Sequence, residues 1–319
     1  MWSSGRPIPG SASPPGSSSA GTGTTAAGPG GADVRAAADP GLYATVLDRH
    51  PDQQHPRIAF CHGLFGQGKN WTTIGRALDE DYTVALVDLP DHGRSPWTDE
   101  LSYTGMAAQL ADYLGGPAAG SGDGGTGSAG GSRWTVVGHS MGGKVAMTLA
   151  LTRPDLVERL VVVDIAPVDY GGPSDFGAYV EGMRALDLRT LPSREAADDQ
   201  LAGAVPDPAV RSFLLQNLRR GGAEPGTNWH WQMNLRLLGD QLEVLSGFPD
   251  LDGCRYDGPT LWVAGADSGY VKPEYAGTMK TFFPQVRTVK IKNAAHWVHS
   301  EQPEIFLQVL RDFLSRTAA

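Results

Sequence analysis

Short apolar, β-branched runs alternate with helical patterns along most of the chain, and this rhythm constrains the fold more than any other feature. The runs are Arg57–Cys61 (RIAFC), Thr83–Asp88 (TVALVD), Trp134–Val137 (WTVV), Leu160–Asp164 (LVVVD), Thr260–Ala264 (TLWVA) and Arg287–Ile291 (RTVKI). Helical periodicity lies among them at Met106–Leu114, Met141–Leu151, Pro273–Phe283 and Glu304–Leu314. The runs lack the apolar–polar alternation of a half-exposed sheet. They predict an α/β fold: a mostly parallel, twisted sheet with helices on both faces. Ligands collect at the carboxyl ends of the strands in such sheets, and the unusual residues of this sequence fall there.

Three segments break the rhythm. Residues 1–35 are almost wholly Gly, Ser, Pro, Ala and Thr. They have little to bury and predict a flexible tail ahead of a folded domain at 36–319. They also lack the basic start and apolar run of a secretory signal. The glycine-rich stretch at 115–133 predicts a flexible insertion between a helix and a strand, because the rhythm resumes unchanged beyond it. From 169 to 256 helical patterns occur with no good strand, and Phe213, Leu214, Leu218, Trp229, Trp231 and Leu238 supply apolar faces. This predicts a helical cap inserted between two strands, at a point where active-site loops emerge.

Composition narrows the function classes. The 319 residues carry 26 Lys+Arg against 35 Asp+Glu, a formal charge of −9, with no basic cluster. Nucleic acid is therefore not the expected partner. Two cysteines, Cys61 and Cys254, cannot build a disulfide scaffold and fit a reducing, cytoplasmic setting. No run of about 18 apolar residues predicts a membrane span. None of this sets an oligomeric state.

The motif that carries chemistry is Gly138-His139-Ser140-Met141-Gly142, after the WTVV run and before the helical pattern MGGKVAMTLAL. This is G-x-S-x-G in its strand–turn–helix context. The turn is so tight that Ser140 must adopt a strained backbone, and its flanking glycines leave no room for a Cβ. The hydroxyl is held out at the top of the sheet beside a helix N-terminus, where a developing anion is favoured. In a glycine-rich chain the pattern alone is weak; the context makes Ser140 the candidate nucleophile.

A serine nucleophile needs a base. His50 and His55 lie in a polar loop and read as solvated surface, whereas His139 is adjacent to Ser140 and reads as structural. His230 sits between two tryptophans in the cap, where it could line a pocket. His296, in the loop between the last strand run and the last helix, is the candidate base, ahead of His299, which better suits packing or capping. The His296-x-x-His299 pair lacks the glutamate of a zinc-protease helix and a third ligand, so neither metal nor cofactor is expected. Two acids end strands on the same edge and suit the third role, Asp164 and Asp267. Asp88 is expected to bond loop amides instead. Two amides should stabilise the oxyanion: that of Met141, and one from the loop His62-Gly63-Leu64-Phe65-Gly66, with Leu64 the choice and Phe65 the alternative.

One rival motif and one rival class remain. Gly63 to Lys69 reads G-x-x-x-x-G-K after a strand, nearly a phosphate-binding loop, but Asn70 stands where magnesium needs Ser or Thr. A nucleotide hydrolase is thus a remote alternative. A binding protein that holds a small ligand with slow or no turnover is the nearer one.

The chain resembles the α/β-hydrolase superfamily. Within it, the chain is most similar to the YbfF-type bacterial acyl esterases and the α/β-hydrolase domain-containing protein 11 group. The resemblance rests on HGLFG (62–66), DHGRSP (91–96), GHSMGGK (138–144), VDIAPVDY (163–170) and HWVHSEQP (296–303), and spans roughly 42 to 314. It implies a serine esterase acting through a covalent acyl-enzyme on short- to medium-chain carboxylic esters, with acyl-CoA thioesters a further candidate. Water and the ester are then the only partners. It also bears on the acid. The family's turn after the seventh strand often carries no carboxylate, which favours Asp164, although here Asp267 fills that turn as well.

Overall fold

The computed structural model describes residues 35–36, 41–116, 133–171, 175–221 and 228–316. All of the expected tail at 1–35 except Arg35, and nearly all of the expected insertion at 115–133, lie outside these residues. The described residues belong to one compact unit, 32–319.

All six apolar runs are strands of one sheet. β1 (Arg35–Ala36), β2 (Ala44–Leu47), β3 (Arg57–Cys61), β4 (Thr83–Val87), β5 (Trp134–His139), β6 (Val157–Val163), β9 (Thr260–Gly265) and β10 (Val286–Ile291) lie in the order β1-β2-β4-β3-β5-β6-β9-β10. From β4 to β10 every pairing is parallel; β2 pairs antiparallel with β4 and with β1 at the edge. The central strands are buried on both faces. In β6 alternate side chains serve two cores: Leu160 and Val162 pack on one side, Val161 and Val163 on the other. That double burial is why these strands read as continuous apolar runs.

Helices cover both faces. α1 (Thr72–Arg76) and α11 (Pro303–Arg316) supply Ile74, Phe306, Leu310 and Phe313 to one core. α2 (Tyr103–Gly115), α3 (Met141–Thr152) and α9 (Ala276–Phe282) supply Met106, Leu110, Val145, Leu149 and Met279 to the other. Ser102 caps α2 by accepting the Gly105 N–H at 3.0 Å, a standard N-cap exchange of side chain for an orphan amide. The short α10 (Val298–Glu301) lies between β10 and α11.

The insertion between β6 and β9 is largely helical, with α4 (Asp175–Ala185), α5 (Arg194–Leu201), α6 (Pro208–Leu215), α7 (Leu235–Asp240) and α8 (Leu242–Ser246). The expectation of no strand there needs correction. β7 (Leu218–Arg220) and β8 (Trp229–Trp231) form an antiparallel hairpin. Trp229-His230-Trp231 alternates buried, half-buried, buried, the period of a strand. Three residues are too few for that period to stand out from the helical patterns around them.

One buried lysine ties this insertion to the sheet's own helix. Lys144, on α3, is 1% exposed, and its Nζ donates to the carbonyls of Val168 (3.1 Å), Ser246 (2.6 Å) and Gly247 (2.5 Å). Val168 precedes the insertion's first helix, and Ser246 and Gly247 are the last residue and the C-cap of its last, so one ammonium clips both roots. The rings of Tyr103 and Tyr170 flank it. Burial draws its pKa down to about 7, while the three carbonyl dipoles favour the charged form. Lys144→Met relieves the buried charge but leaves the Val168 and Gly247 carbonyls without a donor among the described residues, while Ser246 keeps the Tyr170 amide. It should cost about 2 kcal/mol of stability, read from urea unfolding at neutral pH. An unchanged midpoint would show the clip carries no weight.

Candidate active site

Five non-glycine residues among those described have positive φ: Phe65, Asp91, Ser140, Asp164 and Asn293. Each lies in a loop that follows a parallel strand, so backbone strain is concentrated at the sheet's carboxyl edge. Ser140 joins β5 to α3 with φ 52° and ψ −122°. Its N–H donates to the Val163 carbonyl on β6 and its carbonyl accepts from Gly143 and Lys144, so the strained residue is clamped on both sides. A Cβ on Gly138 would strike the Gly142 carbonyl, and one on Gly142 would strike the His62 carbonyl. The glycines of the motif are therefore demanded by close backbone approach.

Asp164 follows β6 directly and is fully buried, with φ 52°. Its Oδ1 accepts the Gly265 N–H at 3.0 Å, and its Oδ2 accepts from the Ser268 hydroxyl and from His296 Nδ1, the latter at 2.9 Å. A carboxylate can only accept here, so His296 carries its proton on Nδ1 and presents Nε2 as a lone pair. The Tyr270 ring stacks on the imidazole at 4.2 Å between centroids. Asp267 is exposed, and its carboxylate has no hydrogen-bond partner among the described residues. Of the two candidate acids, the fold brings Asp164 to the ring.

Ser140 and His296 line one cavity of about 30 Å³, room for one or two waters. Leu64, Trp71, Trp297 and the cap residues Phe176 and Phe213 share its walls. The Ser140 hydroxyl has no hydrogen-bond partner among the described residues. Met141 is the first residue of α3, so its amide is one of the helix's orphan donors.

The His62–Gly66 loop is held by two histidines. His62 Nδ1 donates to the Gly63 carbonyl at 2.8 Å while its Nε2 accepts the Leu89 amide at 3.0 Å. His92 Nδ1 donates to the Pro90 carbonyl, and its Nε2 accepts the Phe65 amide at 3.1 Å. The Phe65 N–H is thus spent, whereas the Leu64 N–H has no partner among the described residues. A phosphate-binding loop would need several free amides, but those of Phe65, Gly66, Gln67 and Gly68 bond to His92, Gly63, Asn70 and Asp88. The near-match at Gly63–Lys69 is accordingly no phosphate cradle. Asp88 bonds the Gly68 and Arg94 amides, a loop-fastening role.

The other histidines divide by environment. His139 Nε2 lies 2.8 Å from the His296 carbonyl and donates to it, anchoring the loop that carries the imidazole. His299 is buried and stacks on Trp71 at 4.0 Å. His230 lies on β8 against the Gly221 carbonyl and is not part of the cavity wall. The loop-holding pair His62 and His92 shows in the sequence only as HG in two turns. Nothing local distinguishes a buried, tautomer-locked histidine from an exposed one.

Burial lowers these pKa values: His62 to about 4, His92 and His299 to about 3, and His139 well below its ordinary value. Between the ordinary histidine value near 6.5 and pH 4, the unfolded chain takes up protons that the folded form refuses, so stability falls as pH falls through that window. His299→Phe preserves the stack on Trp71 and removes one such site. The slope of unfolding free energy against pH should drop by about 1.4 kcal/mol per pH unit between roughly 6 and 4.5. An unaltered slope would mean His299 is protonated in the folded state.

Comparison with known proteins agrees with this geometry. Residues 56–303 match the family model described as the alpha/beta hydrolase fold. The chain is 38% identical over 270 residues to a mouse protein named sn-1-specific diacylglycerol lipase ABHD11, covering 83% of this chain and 82% of the relative. It is 31% identical over 260 residues to Esterase YbfF of Escherichia coli, covering 81% of this chain and 92% of the relative. A solved marine-microorganism esterase superposes with a TM-score of 0.76 at 29% identity, covering 86% and 99% of the two chains. Strained serine turn, carboxylate-bound imidazole and capped parallel sheet thus coincide with sequence kinship over most of the chain, which belongs to the α/β-hydrolase family.

Proposed function

We propose that this chain is a serine carboxylic-ester hydrolase in which Ser140 is the nucleophile, His296 the general base and acid, and Asp164 the group that orients the imidazole. One observation carries the reading. A ring whose Nδ1–H is pinned by a buried carboxylate, and whose other nitrogen is left as a lone pair, lines the same cavity as a strained serine. That arrangement has little use in a purely structural site.

The steps follow from the groups present. His296 Nε2 takes the Ser140 proton as Oγ bonds to the acyl carbonyl carbon. The carbonyl oxygen becomes an oxyanion, received by the amides of Met141 and Leu64; Leu64 is preferred to Phe65 because the latter's N–H is already engaged. Collapse breaks the ester bond, and the imidazolium gives its proton to the departing alcohol. Water then repeats the sequence on the acyl-enzyme, its proton passing to His296 and returning to Ser140. Asp164 stays ionised and stabilises the imidazolium throughout. No metal or organic cofactor enters these steps.

The aromatic walls, Trp71, Phe176, Phe213 and Trp297, suit an apolar acyl chain. Carboxylic esters are therefore the substrate class, and the lipase name of the mouse relative adds glycerolipid esters to the candidates. Acyl-CoA thioesters would follow the same route with a thiol as leaving group. No helix among the described residues is long and apolar enough to cross a membrane. The two free cysteines, Cys61 and Cys254, fit a cytoplasmic location.

Pre-steady-state hydrolysis of a p-nitrophenyl ester tests the reading. A burst of p-nitrophenol equal to the enzyme present is expected, and Ser140→Ala should remove both the burst and turnover. Asp164→Asn should lower kcat by about 10³–10⁴-fold, while Asp267→Asn stays within about twofold of the parent. Full turnover by the Ser140→Ala protein would overturn the proposal, and binding without a burst would favour a ligand-holding protein.

A further inference from the structure

We propose that Asn217, a residue of the cap, is a positioning residue that aims the Leu64 amide into the oxyanion site. The inference rests on the reading of Leu64 given above and adds to it a physical link between cap and chemistry.

Asn217 lies between α6 and β7 and is fully buried. Its Nδ2 donates across to the Phe65 carbonyl at 2.8 Å and to the Leu214 carbonyl at 3.2 Å. Its Oδ1 accepts from Gln67 Nε2 at 2.5 Å. Its main-chain N–H donates to Leu214 and its carbonyl accepts from Gln232, so the cap holds it by the backbone as well. A buried amide with this many partners has one orientation.

The bond to Phe65 reaches the oxyanion loop through two peptide groups. The Phe65 carbonyl and the Gly66 N–H belong to one peptide unit. That N–H donates to the Gly63 carbonyl at 2.9 Å. The Gly63 carbonyl in turn shares a peptide unit with the Leu64 N–H. Because a peptide group is planar and trans, fixing its carbonyl fixes the opposite direction of its N–H. His62 Nδ1 also holds the Gly63 carbonyl, at 2.8 Å. The Leu64 N–H is thus aimed from both sides, by a core histidine and, two hydrogen bonds away, by the cap. Each bond in such a chain polarises the next, so the Asn217 donor strengthens as well as orients the terminal N–H. Phe65 has φ 60°, so the loop is strained and needs such external support.

A residue that aims an oxyanion donor acts on the transition state and not on ground-state binding. Asn217→Ala should lower kcat for a p-nitrophenyl ester by about 10–100-fold with KM changed less than about threefold. Affinity for a trifluoromethyl ketone, whose tetrahedral oxygen occupies the oxyanion site, should fall by the same factor as kcat. If the alanine variant does not fold, Asn217→Asp, which keeps the shape and loses the Nδ2 donor, is measured instead. A rise in KM at constant kcat, or ketone affinity that is unchanged while kcat falls, would overturn the inference. With Ser140→Ala inactive in the same assay, that result leaves the serine-hydrolase reading standing. Full activity of Ser140→Ala would remove both.

Discussion

A single buried carboxylate organises this molecule's functional edge. Asp164 follows β6 with no solvent contact, and among the described residues its carboxyl oxygens accept hydrogen bonds from Gly265, Ser268 and His296 alone. An ionised carboxylate in that position is costly unless its lone pairs are filled. Three segments far apart in the chain therefore converge on it: the strand it ends, the turn after β9, and the loop after β10. Their convergence fixes the tautomer of His296, and the tautomer decides which nitrogen faces the cavity. The placement of the His296 ring thus follows from satisfying one buried carboxylate.

The cap is joined to this edge by polar ties as well as by apolar contact. Lys144 clips both of its roots to α3, the helix that directly follows Ser140. Asn70 and Gln216 pair their side-chain amides across the same seam, and Asn234 donates to Asp91. Apolar packing is tolerant of small sliding; a saturated set of hydrogen bonds is not. The two kinds of contact divide the work. Phe176 and Phe213 line the cavity, whereas the polar ties join the cap to the loops beneath it.

The sheet was legible in the sequence because burial on both faces leaves a direct imprint. β3 and β4 begin and end within a residue of the runs RIAFC and TVALVD. Edge strands carry a weaker imprint: β2 is four residues long and half-buried at its centre, and went unseen. The cap hairpin was hidden for a related reason, its Trp-His-Trp alternation being too short to separate from helical spacing. At the site, Ser140 and His296 could be picked out because a strained turn needs glycines and the chain order of the groups is restricted. The choice between Asp164 and Asp267 was not decided by their local sequence. Both end strands at the same edge, and only the three-dimensional convergence shows which carboxylate is buried against the ring. Asn217 was illegible altogether, since its partner Phe65 is 152 positions away.

Several imidazoles crowd this edge, and their division of labour has a simple electrostatic cause. His139 and His296 rings lie 4.7 Å apart and His139 and His299 rings 4.8 Å apart, so two cations there would repel strongly. Burial, joined at His92, His139 and His299 by repulsion from neighbouring imidazoles, drives His62, His92, His139 and His299 toward the neutral form, in which each can accept an amide, donate to a carbonyl or stack on an indole. Among the described histidines, His296 alone has its ring hydrogen-bonded to a carboxylate. A positive charge arising in this cluster is therefore least costly on that ring. His62 and His92 add to the selection, because each accepts an amide at Nε2, a bond that a second ring proton would break. In the proposed mechanism the Ser140 proton passes to the one imidazole of this group that a carboxylate holds.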